Sequence, residues 1–517
     1  MSSRVGQSLR ANLDIILLNT IVLLATSLGV VRTHALYENS LLVHPEWIST
    51  KATLRRGVMG ALAFTSGQQA LARNRLNLGA WFGFQEVLNR DTLDLAKLEC
   101  RFRVEADGYL HVIYDHRADG FSGVRLSSGP DSPSFHYRAT ADGEFTTIEP
   151  LALETVSPAA WHQVALSFTD GDVVVILDGA TAGSFKRQPG TQRVGFRGGQ
   201  RNAAVDDVIL TGTDGRVHAE RFTNRQRQWP RFGLVLAGLL SMTVVGTLVA
   251  LRFSSLPFRQ IGMATTVVGL VLACMVAATY LLQYVRGRDY VIASDENARA
   301  EAYWIKSSRR DIVAGIRASY TTEIPPNVFR ILVLGTSQTW GAGASSDEDT
   351  WVRQLERLLN ERPGGIRVEC INAGVSGMVA GQVLEMLRTD LADVRATAAL
   401  VNLANNDVDT QQFRRSLDAI AGELLQRKML VVFALEPNSP ERRPTDSRHG
   451  DLAVKHGIVR SIAARYQRPV IDLHAYLAGR RDAGFVWWDF VHLTSFGQRL
   501  VARKLAGDLP PLLGLGE

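Results

Sequence analysis

The chain has 517 residues and a formal net charge of +6, from 57 lysines and arginines against 51 aspartates and glutamates. Hydrophobic residues make up 46% of it and charged residues 21%, which excludes wholesale disorder. The basic residues are scattered, so the chain does not look like a dedicated nucleic-acid binder. Its three cysteines (Cys100, Cys274 and Cys370) lie far apart and give neither a metal-ligand spacing nor a disulfide framework. The length predicts roughly two to four domains.

Three apolar segments, at 15–31, 232–251 and 261–285, stand out from the rest of the chain. None of them contains a charged residue, and about 20 apolar residues are enough to cross a bilayer core as a helix. We therefore predict three transmembrane helices. The first segment is short and contains Asn19, as a cleaved signal peptide could, and we keep that alternative while favouring an uncleaved anchor.

Arginine residues beside these segments predict their orientation. Arg4 and Arg10 precede the first segment, and Arg252 and Arg259 lie between the second and third. Both pairs are expected to stay in the cytoplasm. The prediction is a multi-pass protein of the bacterial inner membrane, with both folded domains on the periplasmic side. Its remaining parts are the cytoplasmic residues 1–14 and 252–260, the outer region 32–229, the connector 286–328 and the C-terminal domain 329–517.

The outer region shows short alternating apolar runs, separated by Asp-Gly or Gly-rich turns, between about residues 76 and 225. In the clearest stretch, Trp161–Gly179, two alternating runs flank the turn Asp170–Gly171. Alternation of this kind is typical of antiparallel strands that bury one face. We therefore predict an all-β sandwich domain in this region.

The same stretch resembles a hairpin of laminin-G and concanavalin-like sandwiches, and residues 204–210 resemble their closing strand. Many domains of that kind bind carbohydrate and some use calcium, so the resemblance implies a glycan-binding or spacer module. Each polar residue that we single out here also has a simpler interpretation, as a solvated strand or loop position. The residues are His111, Tyr114, Asp115, His116 and Asp206.

From Phe329 onward the pattern changes to apolar runs that alternate with helix-like stretches. Such alternation predicts a doubly wound α/β sheet with parallel strands. Ligands of such sheets bind beyond the carboxyl ends of the strands, and this chain has its polar motifs there. The predicted strands are 329–334, 367–371, 398–403, 429–434 and 469–472.

Four separated blocks in this region resemble, in family order, the motifs of the SGNH hydrolases, also called the GDSL esterase/lipase family. The blocks are Gly335–Gly341, Asn372–Gly377, Ala404–Asp407 and Asp489–His492. The resemblance implies a flavodoxin-like fold in which Ser337 is the nucleophile, His492 its base and Asp489 the partner of that base. It also implies an oxyanion hole made by the backbone N–H groups of Ser337 and Gly377 and by the side-chain amide of Asn406.

For three of these assignments the sequence offers an alternative residue. Gly374 competes with Gly377, which we prefer as the last glycine of its block. Asp472 ends a predicted strand and competes with Asp489 as the histidine partner. Asn405 becomes the side-chain donor if the third block is shifted by one residue.

The chain departs from the family pattern at two positions. Thr336 stands where the family has an aspartate beside the nucleophile, and Ala404 stands where it has a glycine. Neither position supplies the attacking atom or the base, so the departures bear on rate more than on the class of reaction. Because every candidate follows residue 329, we also expect small esters to be turned over without the sandwich domain.

The predicted chemistry is acyl transfer through a serine ester, with water or a sugar hydroxyl as the acceptor. We predict a membrane-anchored extracytoplasmic acyl-ester hydrolase or O-acyltransferase that acts on acyl groups of a cell-envelope or exported polysaccharide. The alternatives are a lipase-like esterase on lipid esters and an inactive glycan-binding scaffold of a polysaccharide export system. The sequence shows no metal or nucleotide motif, so we expect no cofactor, no metal and no nucleic-acid partner.

Overall fold

The computed structural model describes residues 92–222, except 118, 130–132, 154–155, 188–192 and 199–202, and residues 308–515, except 364 and 441–451, with shorter pieces elsewhere. The chain forms two compact units, Met1–Asn77 with Glu220–Ile292 and Leu78–Ala219 with Ala293–Glu517. Short pieces alone are described in the first unit. The second unit holds both the β-rich region and the C-terminal α/β domain, and its architecture follows.

The described helices correct the membrane prediction. None of them is long and apolar enough to cross a membrane. The longest, Ser495–Leu513, has 19 residues and carries four charged side chains and two prolines, whereas a span needs about 20 mostly apolar residues. The prediction of a three-span protein of the inner membrane is therefore wrong for the part of the chain that the structure describes. The segments 15–31, 232–251 and most of 261–285 lie outside the described residues.

The β-rich region of residues 85–220, which we call the two-sheet domain, is built from short strands that follow β1 (Trp47–Ser49) and β2 (Leu76–Leu78) in the chain. Neighbouring strands pair antiparallel, for example β9 with β10 and β5 with β6. The strands are β3 (Gln85–Asn89), β4 (Leu95–Val104), β5 (Tyr109–Tyr114), β6 (Gly120–Ser127), β7 (Phe135–Thr140), β8 (Phe145–Pro150), β9 (His162–Phe168), β10 (Asp172–Leu177), β11 (Ala180–Lys186), β12 (Gly195–Gly198), β13 (Ala203–Gly212) and β14 (Val217–Glu220).

These strands form two sheets that face each other. One has the order β3, β12, β5, β6, β7, β8 and the other β11, β10, β9, β4, β13, β14. The predicted hairpin is present, with Phe168 of β9 opposite Val173 of β10. Between the sheets, the Tyr114 ring lies 5.4 Å from that of Phe168, and His136 stacks on Phe185 at 4.4 Å. The inner faces are therefore joined by an aromatic core.

The C-terminal domain alternates strands and helices along the chain. Its five-stranded parallel sheet has the order β16, β15, β17, β18, β19, the order of flavodoxin-like folds. The elements are α1 (Arg309–Tyr320), β15 (Val328–Gly335), α2 (Ser337–Trp340), α3 (Trp351–Asn360), β16 (Arg367–Gly374), α4 (Ala380–Arg388), β17 (Ala398–Asn402), α5 (Thr410–Gln426), β18 (Leu430–Ala434), α6 (Leu452–Arg465), β19 (Val470–Ile471), α7 (Leu473–Ala478) and α8 (Ser495–Leu513).

Helices cover both faces of this sheet. Successive residues of a strand point to opposite faces, and Ile331 and Leu332 of β15 accordingly belong to two separate apolar clusters. The Leu332 cluster packs against α1, α4, α5 and α6, whereas the Ile331 cluster packs against α3, α7 and α8. The sheet order and the helices on both faces are those of the predicted doubly wound α/β domain.

Side chains at the helix N-termini help to fix where the helices begin. The Thr350 hydroxyl accepts a hydrogen bond from the Arg353 N–H at the start of α3, and Asp409 accepts two N–H groups at the start of α5. Thr494 does the same at the start of α8, two residues after His492. Such caps satisfy N–H groups that have no partner within the helix.

Candidate active site

The nucleophile candidate lies at a tight turn between strand and helix. β15 ends at Gly335, and Ser337 opens α2, where its backbone N–H has no acceptor within the helix. A Cβ on Gly335 would approach the Thr339 hydroxyl to 1.9 Å, so the turn requires glycine there. The turn closes at Gly341, whose φ of 102° is in the left-handed region. Ser337 is buried but retains 8% exposure.

Parallel register brings the first three sequence blocks to one edge of the sheet. Gly335 at the end of β15 lies opposite Gly374 at the end of β16. It also lies opposite Asn402 at the end of β17, two residues before the third block. The motifs that resemble the hydrolase family therefore surround Ser337 at the carboxyl ends of adjacent strands, where doubly wound folds bind ligands.

Ser337, His492 and Asp489 form one hydrogen-bonded chain. The Ser337 hydroxyl lies 2.8 Å from Nε2 of His492. On the other side of the imidazole, Nδ1 lies 2.7 Å from Oδ2 of Asp489. In this geometry the carboxylate fixes the imidazole orientation and leaves Nε2 to take the serine proton.

Asp489 is held as an anion by its surroundings. It is fully buried, which by itself raises the pKa of its carboxyl. His492 and two backbone amides outweigh this effect, and the pKa lies below its usual value. The amides are those of Val491 and His492, at 2.8 and 2.7 Å from Oδ1. The carboxylate is thus ready to stabilise a protonated imidazole.

The rival Asp472 has other partners. It caps α7 by accepting the Ala475 N–H at 2.8 Å, and it pairs with Arg460 at 2.5 Å. The structure therefore assigns the contact with His492 to Asp489 rather than to Asp472.

Two candidate oxyanion donors lie on neighbouring loops. Gly377 is exposed and has a φ of 78°. Asn406 is half-buried, and its side-chain amide donates to the Met378 carbonyl at 2.9 Å, which joins the two loops. The rival Gly374 has its N–H bonded to Oδ1 of Asn372 at 3.0 Å. That occupied N–H favours Gly377 as the backbone donor.

A buried glutamate that the sequence reasoning missed lies beneath this edge of the sheet. Glu436 follows β18 and is fully buried, and its Oε1 accepts the Thr336 hydroxyl at 2.7 Å. Its Oε2 accepts the Asn405 N–H at 2.5 Å. Burial raises the pKa of Glu436 above its usual value, although these hydrogen bonds act to lower it. The carboxyl therefore ties the residue before the nucleophile to the loop of the third block.

A buried lysine holds the same loop from its carbonyl side. Lys455 of α6 is fully buried, and its Nζ donates to the carbonyls of Ala404 and Asn405 at 2.9 and 3.3 Å. A buried ammonium is costly unless it is solvated by such acceptors. No motif in the sequence marks this residue, because its role depends on α6 packing beside the end of β17.

Gln338, next to the nucleophile, contacts the loop that carries the base. It is buried, and its Nε2 donates to the carbonyls of Pro437 and Val491, each at 2.6 Å. Val491 directly precedes His492. This side chain therefore links the nucleophile turn to the backbone beside the base.

The structure buries two of the glycan-site candidates on opposite sides of one sheet. His111 and Tyr114 are buried and point to opposite faces of β5. Nδ1 of His111 lies 3.0 Å from the Tyr137 hydroxyl, whereas the Tyr114 hydroxyl lies 2.6 Å from Nε2 of His136. These two residues are therefore not brought together into one surface site.

The other three candidates also make separate local contacts. Asp115 is buried in a left-handed turn with φ of 53°. The His116 ring stacks on Phe121 at 5.5 Å, and Asp206 accepts the Asp207 N–H at 2.9 Å. Among the described residues, no group of three or more metal-ligating side chains is close enough to hold an ion.

A family comparison agrees with the fold and the motifs of the C-terminal domain. Residues 333–500 match the sequence model of the GDSL-like Lipase/Acylhydrolase family, a range that includes Ser337, Asp489 and His492. A GDSL/SGNH-type esterase/acylhydrolase domain at this end of the chain is thereby supported. No curated protein matches the chain.

Several solved structures resemble part of the chain, over 35% to 41% of its length. The acetyl xylan esterase AlAXEase is 20% identical with a TM-score of 0.31, over 35% of this chain and 98% of its own. A lipase/acylhydrolase from Enterococcus faecalis is 21% identical with a TM-score of 0.29, over 35% and 96%. A two-domain esterase active on acetylated mannans is 17% identical with a TM-score of 0.31, over 41% and 53%. The resemblance of the two-sheet domain to laminin-G and concanavalin-like sandwiches is not confirmed.

Proposed function

We propose that the C-terminal domain is a serine acyl-ester hydrolase in which Ser337 attacks and His492 and Asp489 activate it. The observation that carries the proposal is the chain of hydrogen bonds from Ser337 through His492 to Asp489, at 2.8 and 2.7 Å. A serine hydroxyl becomes a nucleophile only when a base is positioned to take its proton. This arrangement provides such a base and a buried anion behind it.

In the first half of the proposed reaction, Ser337 Oγ bonds to the carbonyl carbon of the ester while its proton moves to Nε2 of His492. The oxygen of the tetrahedral intermediate takes up negative charge, and the donors proposed for it are the N–H groups of Ser337 and Gly377 and the amide of Asn406. The bond to the leaving alcohol then breaks, and this alcohol takes the proton from His492. An acyl-serine remains.

The second half repeats these steps with another nucleophile. His492 takes a proton from water, whose oxygen attacks the acyl carbon, and the carboxylic acid leaves as Ser337 regains its proton. A sugar hydroxyl in place of water gives O-acyl transfer by the same route. We propose hydrolysis as the primary reaction, since water needs no acceptor site, and transfer as the alternative.

We propose that the substrate is an acylated polysaccharide, so that the alcohol part of the ester is a polysaccharide hydroxyl. Its support is the resemblance in sequence of residues 161–179 and 204–210 to strands of carbohydrate-binding sandwiches, and a lipid ester is the alternative. Comparing deacetylation of acetylated xylan and mannan with hydrolysis of lipid esters of matched acyl length separates the two. Faster turnover of the lipid esters would reject the glycan assignment while leaving the serine chemistry intact.

The serine chemistry is tested by labelling the protein with a fluorophosphonate and by hydrolysis of p-nitrophenyl acetate. We expect one labelled peptide that contains Ser337, and neither labelling nor turnover in Ser337→Ala. Ser416→Ala is the matched control, because Ser416 is also buried but lies in α5 away from the site. The proposal fails if Ser337→Ala is labelled like the unaltered protein, or if the unaltered protein reacts with neither reagent.

A further inference from the structure

Asp489 and His492 lie on a short hairpin, residues 485–494, which we call the acid–base hairpin. Its two sides are joined by a bridge between Trp487 and Leu493, and the Trp488 N–H donates to the His492 carbonyl at 2.8 Å. The Thr494 hydroxyl, at the far end, donates to the Phe485 carbonyl. The position of the base therefore depends on what holds the two ends of this hairpin.

The start of the acid–base hairpin is bonded to the two-sheet domain through its main chain. The Phe485 N–H donates to the Gly143 carbonyl at 2.8 Å, and the Phe145 N–H donates to the Ala483 carbonyl at 2.9 Å. Between these bonds Glu144 and Gly484 form an antiparallel bridge. The turn between β7 and β8 thus pairs with the chain that enters the hairpin.

The side chain of Phe485 fills an aromatic socket in the two-sheet domain. Its ring centroid lies 5.0 Å from those of His111 and Phe145, and the Arg197 guanidinium carbon lies 3.5 Å from it. Phe121 and Tyr137 complete the socket at 5.8 and 6.0 Å. A cation over a buried ring and edge-to-face ring contacts are both attractive.

The charges around the socket are compatible with each other. Burial, followed by the neighbouring guanidinium groups of Arg125 and Arg197, lowers the pKa of His111 well below its usual value. His111 is therefore neutral beside Arg197 and adds no positive charge to the socket. Its Nδ1 is 3.0 Å from the Tyr137 hydroxyl, a contact that keeps both rings in place.

Ion pairs flank this contact on both sides. Arg125 of β6 pairs with Asp482 at 2.7 Å, three residues before Phe485. Arg499 of α8, which follows the hairpin, pairs with Asp142 and, at 2.8 Å, with Glu144. The chain is therefore attached to the two-sheet domain both before and after the acid–base hairpin.

We propose that the two-sheet domain positions the acid–base hairpin for the reaction, and that Phe485 is the positioning residue through which it acts. The proposal rests on the function proposed for Ser337, and it replaces the expectation that small esters are turned over without this domain. Phe485 is not itself a member of the proposed chain of Ser337, His492 and Asp489. It acts by fixing the start of the hairpin that carries Asp489 and His492.

The test compares Phe485→Ala with Phe168→Ala in the full chain. Both phenylalanines are 7% exposed, but Phe168 lies in β9 and outside the socket. A misplacement of about 1 Å costs up to roughly a hundredfold in rate, so we expect kcat for p-nitrophenyl acetate to fall roughly ten- to a hundredfold in Phe485→Ala with little change in KM. Phe168→Ala lowers the unfolding temperature and keeps kcat, measured well below that temperature.

Arg197→Met gives a second, milder variant that keeps an unbranched apolar side chain and removes the guanidinium. We expect a fall in kcat of several-fold, and no further fall when it is combined with Phe485→Ala, because both changes act through the same contact. Equal losses in Phe485→Ala and Phe168→Ala would assign the socket to stability alone and overturn the proposal, as would additive effects in the double variant. Fluorophosphonate labelling of Ser337 in the unaltered protein separates either result from a failure of the proposed function.

Discussion

The Thr336 hydroxyl donates a 2.7 Å hydrogen bond to Oε1 of Glu436, and both residues are fully buried directly behind Ser337. Thr336 is the position at which the chain departs from the family aspartate. Glu436 supplies a carboxyl group to this threonine from the end of β18, the second strand along the sheet from β15. The other oxygen of Glu436 accepts the Asn405 N–H, so the threonine is linked to the loop of the third block. A hydroxyl and a distant carboxyl therefore join two parts of the site that sequence blocks show only separately.

Removal of this hydroxyl is expected to affect both stability and rate. Thr336→Val leaves a buried carboxyl oxygen without its donor, which costs about 1–3 kcal/mol of unfolding free energy. Because Glu436 also holds the Asn405 loop, kcat falls as well. Thr339→Val is the matched control, since the Thr339 hydroxyl is equally buried and donates to Asn402 at 3.1 Å. Urea unfolding and ester hydrolysis of both variants are the measurements; equal losses of kcat would deny Glu436 a specific role.

Two aspartates that are two positions apart in sequence are expected to make stability depend on pH with opposite signs. Burial raises the pKa of Asp407 from 3.8 to about 6, against the Ala380 N–H and Lys455. Hydrogen bonds from the Gln412 and Gln411 N–H groups lower the pKa of Asp409. A raised folded-state pKa favours folding at low pH, and a lowered one favours it at higher pH.

These signs predict the behaviour of two asparagine variants. Relative to Asp407→Asn, the unaltered protein loses stability as the pH rises from about 4 to above 6. The reason is that the pKa of Asp407 is raised from 3.8 to about 6 in the folded protein. Relative to Asp409→Asn, it loses stability as the pH falls below the usual carboxyl pKa, because the capping carboxylate becomes protonated. Unfolding free energies from pH 3 to 8, roughly the range in which carboxyl groups and histidine titrate, provide the check. Parallel slopes for the two variants would contradict the argument.

The partner of the histidine can be identified by comparing two acidic residues. Asp489→Asn keeps the shape of the side chain but removes the charge that fixes the imidazole, so we expect kcat to fall by roughly a hundred- to ten-thousandfold. Asp472→Asn keeps an oxygen that can cap α7 but removes the charge that pairs with Arg460, so it lowers the unfolding temperature slightly and keeps kcat. Ester hydrolysis and thermal unfolding of both variants show which aspartate is the partner of the histidine. A larger loss of kcat in the Asp472 variant would reverse the assignment.

Local sequence patterns predicted the strands and the four blocks of the C-terminal domain. Each block follows an apolar run, and parallel strands place their carboxyl ends at one edge, so blocks far apart in sequence were expected to meet. The rivals Asp472 and Gly374 could not be separated from Asp489 and Gly377 in this way. Their distinction depends on individual hydrogen-bond partners, which a one-dimensional pattern does not contain.

Contacts between residues that are far apart in sequence and lie outside the motifs could not be predicted. Glu436 is 100 positions from Thr336, and Asp482 is 357 positions from Arg125. Neither lies in a motif, because the need for a carboxyl arises only when the folded neighbours bury a hydroxyl or a guanidinium beside it. The membrane prediction had a different weakness. It used only the length and hydropathy of single segments and took no contact between residues into account.

The last prediction concerns the side-chain donor of the third block. The Asn406 amide bonds to the Met378 carbonyl, next to Gly377, and Asn406 is half-buried. An amide that turns to the developing oxyanion stabilises the transition state more than the bound ester. Its loss costs roughly 2.7–4 kcal/mol, about a hundred- to thousandfold in kcat, with little change in KM.

Asn406→Ala is therefore expected to reduce kcat strongly and still to react slowly with a fluorophosphonate, because Ser337 and His492 remain. Asn405→Ala is the matched control in the same loop. The backbone N–H of Asn405 bonds to Glu436 at 2.5 Å, and an alanine keeps that bond, so the loss of kcat is expected to be much smaller. Steady-state hydrolysis of p-nitrophenyl acetate and labelling rates are the measurements. A larger loss in the Asn405 variant would shift the third block by one residue, and wild-type turnover in both would remove this loop from the oxyanion hole.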